Sequence, residues 1–222
     1  MPNNVLFDTW VKELAQERGI FVTGTDTGVG KTYVGTRLIH RLKALGLAIA
    51  PRKPVESGWP LDHTQTDAWQ LLTAAQLPTS ALEQVCPYRF KAALAPDRAA
   101  RLEGQSITLH QLHAAVLNHA QGQWLYVEGA GGVYSPMAED GLNADLAQSL
   151  GLPVVLMTED KLGCINHVLM AVEVLQRRGL SVAGVILNRI HPQPNEMDNV
   201  ADLKRWLTLP VWSSKEQGLS SL

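Results

Sequence analysis

The sequence predicts an α/β protein, a mostly parallel sheet with helices on both of its faces. Three observations predict it. Several short segments are apolar without alternation, among them Ile20-Phe21-Val22, the start of WLYVEGAGG and PVVLMT, as expected of strands buried on both sides. Segments of helical period separate them, and strands alternating with helices build parallel sheets. Finally, the glycine-rich stretch GTDTGVGKT, Gly24 to Thr32, lies between the first strand and the next helix.

Val5, Leu6, Trp10, Val11 and Leu14 recur at roughly helical spacing, which predicts a short amphipathic helix over 5–18, ahead of a strand from Gly19 to Thr23. Val34, Leu38, Leu42 and Leu45 mark a helix ended by Gly46. A second strand, 47–51, leads into RKPVESG, and 66–76 reads as a helix with Trp69, Leu72 and Ala75 inward. From Pro78 to Gly104 the pattern is irregular, and Pro87 and Pro96 suggest loops. Thr108 caps a helix carrying Leu112, Ala115, Val116 and His119. A strand over Trp124 to Val127 ends at Glu128, and NADLAQSLG is helical. A strand from Pro153 to Thr158, a helix from Ile165 to Arg178 closed by Gly179, and a strand from Val182 to Leu187 follow. The last helix spans about Asp198 to Leu207, before a short apolar piece, 209–212. No repeat, low-complexity tract or linker interrupts this order, so one domain over 1–222 is expected, with 1–18 as an additional helical lead.

Bulk properties narrow the function. With 222 residues, 45% apolar and 18% charged, the chain has enough material for one buried core. A net charge of -2 gives no reason to expect nucleic acid or an anionic membrane as partner. Charges at Asp8, Lys12, Glu13, Glu17 and Arg18 break any signal-peptide core, and no apolar run is long enough to cross a bilayer. Cys86 and Cys164 lie far apart without metal-ligand spacing, and a reduced, cytoplasmic protein is the expectation. The seven histidines form no metal or nucleophile constellation.

The chemistry is carried by GTDTGVGKT. A strand-to-helix turn exposes unpaired backbone N–H groups at the positive end of the helix dipole, and glycines let a phosphate approach them. Gly-Lys-Thr opening a helix after a strand is the required context for a P-loop: Lys31 contacts the β- and γ-phosphates and the Thr32 hydroxyl reaches a Mg²⁺ ion. One departure is visible, since five residues separate Gly24 from Gly30 and Thr25 stands at the usual first glycine position. Glu128, at the carboxyl end of a parallel strand and therefore at the same sheet edge, is a candidate Mg²⁺ ligand. Asp67 is a weaker candidate by spacing, because an aspartate in a first helical turn also complements the dipole. Lys53 follows a strand too, so a second cation stands near the phosphates, suited to phosphoryl transfer or to an anionic co-substrate.

Taken together, GTDTGVGKT, KPVESG at 53–58, Asp67, EGAGGVYSP at 128–136, KLGCINH at 161–167 and Asn188 resemble the dethiobiotin synthetase family, in the family's order and across nearly the whole chain. The resemblance implies a P-loop NTPase-type fold, ATP and Mg²⁺, and 7,8-diaminononanoate with CO₂ or bicarbonate as substrates. A carbamate of the diamine would attack the γ-phosphate, and the second amine would displace phosphate to close a cyclic urea. It also implies roles for residues. Lys31 and Lys53 would neutralise the carbamate and the transferring phosphoryl group, and Thr27 with Ser57 would contact the diamine or carbamate. Thr32, Asp67 and Glu128 would hold Mg²⁺. Gly28, Val29, Gly30 and Tyr33, with Gly129, Ala130 and Gly131, would surround the nucleotide. Asn188 would read the adenine edge, with Pro210, Val211 and Trp212 lining the base pocket. Gly163, Cys164 and Asn166 would complete the neighbouring site of a homodimer. Ala95-Pro96-Asp97 stands where the family has Ser-Pro-His, so no role passes to Asp97.

A rival of another class is a P-loop ATPase switch of the partitioning or division-site type. Those proteins carry a lysine early in the loop, where this chain has Thr25 and Asp26, and they often bear a basic surface or a membrane-binding tail. An amide-forming synthetase of cobalamin synthesis is also related, but its additional glutamine-hydrolysing domain has no room here.

Overall fold

The elements in chain order are α1 (Pro2–Leu14), β1 (Gly19–Gly24), α2 (Lys31–Ala44), β2 (Ile49–Arg52), β3 (Val55–Ser57), α3 (Asp67–Ala74), α4 (Leu82–Val85), β4 (Tyr88–Phe90) and α5 (Pro96–Leu102). They continue with α6 (Leu109–Leu117), β5 (Trp124–Gly132), β6 (Pro136–Ala138), β7 (Gly141–Leu142), α7 (Asn143–Leu150), β8 (Val154–Glu159), α8 (Cys164–Arg177), β9 (Val182–Asn188), α9 (Asn199–Lys204) and β10 (Val211–Ser213). The computed structural model describes residues 2–219 apart from 193 and 195. Its main sheet has six strands in the order β10-β9-β8-β1-β5-β2, every pair parallel.

Strand alternation divides the core into two layers. Ile20, Val22, Tyr126, Val155, Met157 and Ile186 pack under α1, α2 and α3. Phe21, Leu125, Val127, Leu156, Val185 and Leu187 face α6, α7 and α8 on the other side. Both faces being covered is why these strands lack polar alternation. The parallel arrangement brings the ends of β1, β2, β5, β8 and β9 to one sheet edge, where the phosphate loop and the candidate ligands lie.

Several expectations change in detail. In α1 the buried stripe is Phe7, Trp10, Val11 and Leu14, at helical spacing, whereas Val5 and Leu6 are exposed. Leu45 is likewise exposed, just past the end of α2. In α3, Ala68, Leu71 and Leu72 face the core, and Trp69 is only half-buried, packed edge-on against His63 at 5.0 Å. The stretch read as irregular, 78–104, contains α4, β4 and α5. Pro96 opens α5 rather than breaking it, because the first turn needs no N–H from that position. β4 exists by pairing with β3, a non-local contact with no signature in either segment. β5 continues past Glu128 to Gly132, which pairs with Gly24 of β1. His119 lies beyond α6 with φ 52, and 209–212 contains the start of β10, paired with β9. β2, α8 and α9 are each displaced or shortened by a few residues, α9 starting after Asp198, whose side chain accepts from Ala201 N at 2.9 Å.

Candidate active site

Gly24 ends β1, and Lys31 is the first residue of α2. Between them Gly28 and Gly30 have φ of 74 and 84, left-handed conformations that turn the loop sharply. Gly30 is also the helix cap, and any Cβ there would strike the Asn188 amide. The loop is braced from behind: Asn188 Nδ2 donates to Val29 O at 3.2 Å, and the buried Ser214 hydroxyl donates to Asn188 Oδ1 at 3.0 Å. Val29 anchors the loop by burying its side chain, so it offers a ligand only its backbone. Thr25, at the departure from the usual loop spacing, shares a hydrogen bond of 2.9 Å with Thr158 of β8.

Beside the loop lies a buried ionic network. Lys53, just after β2, sends Nζ to Glu128 Oε1 at 2.7 Å and to Asp67 Oδ2 at 2.9 Å, with Gly129 O at 3.3 Å. The Thr32 hydroxyl donates to the same Glu128 oxygen at 2.7 Å. Glu128 is completely buried, and Lys53 and Thr32 nearly so. Burial alone would lower the Lys53 ammonium, but Asp67, Glu128 and Glu56 outweigh it and hold it above the ordinary lysine value. Burial raises the Glu128 carboxyl, with Lys53 acting in the opposite sense. Burial would raise Asp67 as well, yet Lys53 keeps it below the usual carboxylate range. Lys31, which donates to Asp26 O at 3.1 Å, is pushed down to about 8, first by burial and then by the charge of Lys53. Two cations thus sit side by side with little water, where an anion is strongly favoured.

A cavity of about 640 Å³ opens over this network. It brings together Lys31, Thr32, Lys53, Asp67 and Ser57, along with Thr27, Gly28, Gly30, Tyr33, Ala130 and Gly131 from the expected set. Ser57 donates to Leu94 O at 2.6 Å, and the exposed Thr27 has its N–H on Asp26 Oδ1 at 2.7 Å. The cavity wall does not include Val29, Glu128 and Gly129, nor Asn188, Pro210, Val211 and Trp212, nor Gly163, Cys164 and Asn166. The Trp212 ring lies under α1 between Phe7 and Trp10, with centroids 5.3 and 5.9 Å away. Gly163 caps α8, Asn166 is exposed, and the Cys164 side chain is buried in the core with its N–H on Lys161 O at 3.1 Å.

Two residues that spacing did not single out hold the site in shape. Glu56, in β3, accepts from Asp67 N at 2.9 Å and Ala68 N at 3.0 Å, capping α3 and fixing where Asp67 starts. Burial pushes its carboxyl up. Its position within KPVESG was the available signal, but nothing local shows that α3 begins opposite it. Asn143 is fully buried, donates to Gly132 O at 2.7 Å and to Ala130 O, and accepts from Ala130 N at 3.2 Å. A Cβ on Gly129 would strike the Asn143 amide, so the 129–132 turn and Asn143 are shaped to each other.

A family model described as an AAA domain matches residues 18–214. The ATP-dependent dethiobiotin synthetase of Anaeromyxobacter dehalogenans is 44% identical over 191 residues, 85% of either chain. That of Phenylobacterium zucineum is 40% identical over 207 residues, 89% of this chain and 88% of its own. The septum site-determining protein MinD of Pyrococcus horikoshii, complexed with Mg-ADP, superimposes with a TM-score of 0.50 at 17% identity, over 86% of this chain and 78% of that one. At that identity the likeness shows the P-loop fold alone. The two synthetases match almost end to end at far higher identity, and the chain belongs to the ATP-dependent dethiobiotin synthetase family.

Proposed function

We propose that this protein carboxylates 7,8-diaminononanoate and closes the product to dethiobiotin, using ATP. The observation that supports the reading best is the ionic network in which Lys53, Asp67 and Thr32 line the cavity beside Lys31 while the buried Glu128 braces Lys53 and Thr32 from behind. An anionic nucleophile attacking an anionic phosphate needs clustered cations, and this cavity supplies two.

The donor set also fits Mg²⁺. It consists of oxygen ligands only, two carboxylates and a hydroxyl, and among the described residues no group of three or more His, Cys, Asp or Glu forms a metal cage. Mg²⁺ takes few protein ligands and keeps phosphate and water oxygens. Thr32, Asp67 and Glu128 would hold it, and when bound it would neutralise charge on the phosphates.

The residues divide the work as follows. Lys53, Thr27 and Ser57 hold the diamine's reacting end while one amine adds to CO₂ and loses a proton, giving a carbamate. Lys31 and the loop N–H groups hold the phosphates while a carbamate oxygen attacks the γ-phosphorus and ADP leaves, giving a carbamic–phosphoric anhydride. The second amine then attacks the carbamoyl carbon and expels phosphate, which closes the ring. By the family resemblance Asn188 and the backbone of 210–212 would meet the adenine, since the Asn188 amide already bonds Val29 and Ser214 and the Val211 and Trp212 side chains are buried. Gly163, Cys164 and Asn166 of a second copy would meet the far end of the diamine. A helix N-terminus suits its carboxylate. The working form in this reading is a cytoplasmic homodimer. Incubation with MgATP, bicarbonate and the diamine is expected to yield dethiobiotin, detected by mass spectrometry. ATP hydrolysis indifferent to the diamine, with no such product, would support the switch-ATPase class instead.

A further inference from the structure

Two buried polar atoms behind the cavity have no hydrogen-bond partner among the described residues: the Tyr126 hydroxyl and Oε2 of Glu128. Both side chains come from β5, two positions apart, and so project from one face of the strand. Both residues are fully buried. The other Glu128 oxygen, Oε1, is occupied by Thr32 and Lys53. Oε2 instead looks toward α2 at Gly35. A Cβ on Gly35 would overlap the Tyr126 hydroxyl, lie 2.8 Å from the phenol Cζ, and lie 3.6 Å from Oε2. Gly35 is thus the gap in α2 that the phenol fills, and the phenol oxygen and Oε2 converge on the same point. A glycine inside a helix is unfavourable relative to alanine, and the space it leaves is occupied by this one hydroxyl. A buried carboxylate oxygen without a donor is costly, as is a buried hydroxyl without an acceptor. Each group supplies what the other lacks.

We propose that Tyr126 is a positioning residue: its hydroxyl donates to Oε2 of Glu128 after a small turn of the carboxylate, and so keeps Oε1 directed at Thr32 and Lys53. The inference rests on the reading of Glu128 as a ligand of the cation that accompanies the phosphates. Partners that orient a ligating carboxylate matter, and losing one typically weakens metal binding 10- to 100-fold. A residue serving packing alone would behave differently. The ring belongs to the apolar layer that packs under α1, α2 and α3, and phenylalanine would fill that place equally well.

The test is a calorimetric titration of Mg²⁺ into ADP-saturated protein, for the wild type, Tyr126→Phe and Glu128→Gln, alongside ADP affinity in EDTA and the thermal midpoint. Tyr126→Phe is expected to keep its melt and its metal-free ADP affinity while binding Mg²⁺ about tenfold more weakly. Glu128→Gln is expected to lose at least as much. Unchanged Mg²⁺ affinity in Tyr126→Phe, with Glu128→Gln impaired, overturns the role of Tyr126 and leaves the site reading intact. Mg²⁺ affinity indifferent to Glu128→Gln overturns the site reading, and the inference with it. A Tyr126→Phe protein that loses metal-free ADP affinity to the same degree as Mg²⁺ affinity would mark the residue as packing only.

Discussion

Lys31 and Lys53 are neighbours with opposite protonation behaviour. Lys53 touches two carboxylates and stays charged, whereas Lys31 is lowered to about 8 by burial and by Lys53 itself. A bound polyphosphate favours charged Lys31, so above pH 8 the free protein must first take up a proton in order to bind. ATP affinity should therefore fall about tenfold between pH 7 and pH 9, by linkage, and calorimetry in buffers of different ionisation enthalpy should show proton uptake at pH 8. Affinity independent of pH over that range would contradict the assignment. Lys53→Ala has a different consequence. It leaves Glu128 buried without its cation, which costs about 3–5 kcal/mol of stability. The variant should lose dethiobiotin synthesis, melt lower than the wild type, and regain part of that midpoint when Mg²⁺ and nucleotide are added. A Lys53→Ala melt equal to wild type would show that the pair contributes nothing to folding.

At the level of elements, α1 lies ahead of the segment matched by the family model, yet it is part of the core. Phe7, Trp10, Val11 and Leu14 pack on the sheet, and Trp10 Nε1 donates to Ala183 O at 2.8 Å. Gly184 lets the Trp10 ring approach, since a Cβ there would lie 3.0 Å from it. Arg41 of α2 ties the helix down through Asp8 at 2.6 Å. Trp10→Ala should cost about 3–5 kcal/mol, the usual range for truncating a buried aromatic residue, measured by urea denaturation. Because Trp212 loses a ring neighbour in this variant, the emission of the remaining tryptophans should change as well. A loss under about 1 kcal/mol would mean that α1 is loosely held, contrary to its burial.

For the whole molecule, the cavity is lined by Lys31, Thr32, Lys53 and Asp67 but not by Gly163, Cys164 and Asn166, and Asn166 is exposed. The homodimer proposed above, with each site completed by a second copy, makes a prediction from that placement. Lys53→Ala and Asn166→Trp, each inactive alone, should complement on mixing. In a mixed dimer both defects fall in one site and the other is whole, so equal amounts should restore about a quarter of wild-type activity, by two-fold symmetry. No recovery, after subunit exchange has been demonstrated by sizing or fluorescence, would make each site self-contained.

The division between what sequence alone determined and what needed the fold follows from the range of the interactions. GTDTGVGKT was legible because a P-loop is one local unit, its glycine conformations, helix cap and lysine all lying within nine residues. The parallel sheet was legible because burial on both faces erases alternation in each strand separately. Lys53, Asp67 and Glu128 could be named by their places after strands or at a helix start, but their mutual contacts could not, since those join segments 14 and 75 residues apart. The same holds for β4, which forms only against β3, and for Glu56, which meets α3 across eleven positions. Trp212 and Tyr126 are clearest of all. Their sequence neighbours mark them as ends or members of apolar strands, whereas α1 decides what the Trp212 ring touches, and the missing side chain of Gly35 decides where the Tyr126 hydroxyl lies. Periodicity and backbone geometry are written locally; the partner of a buried polar group is chosen by whichever distant segment the packing brings against it.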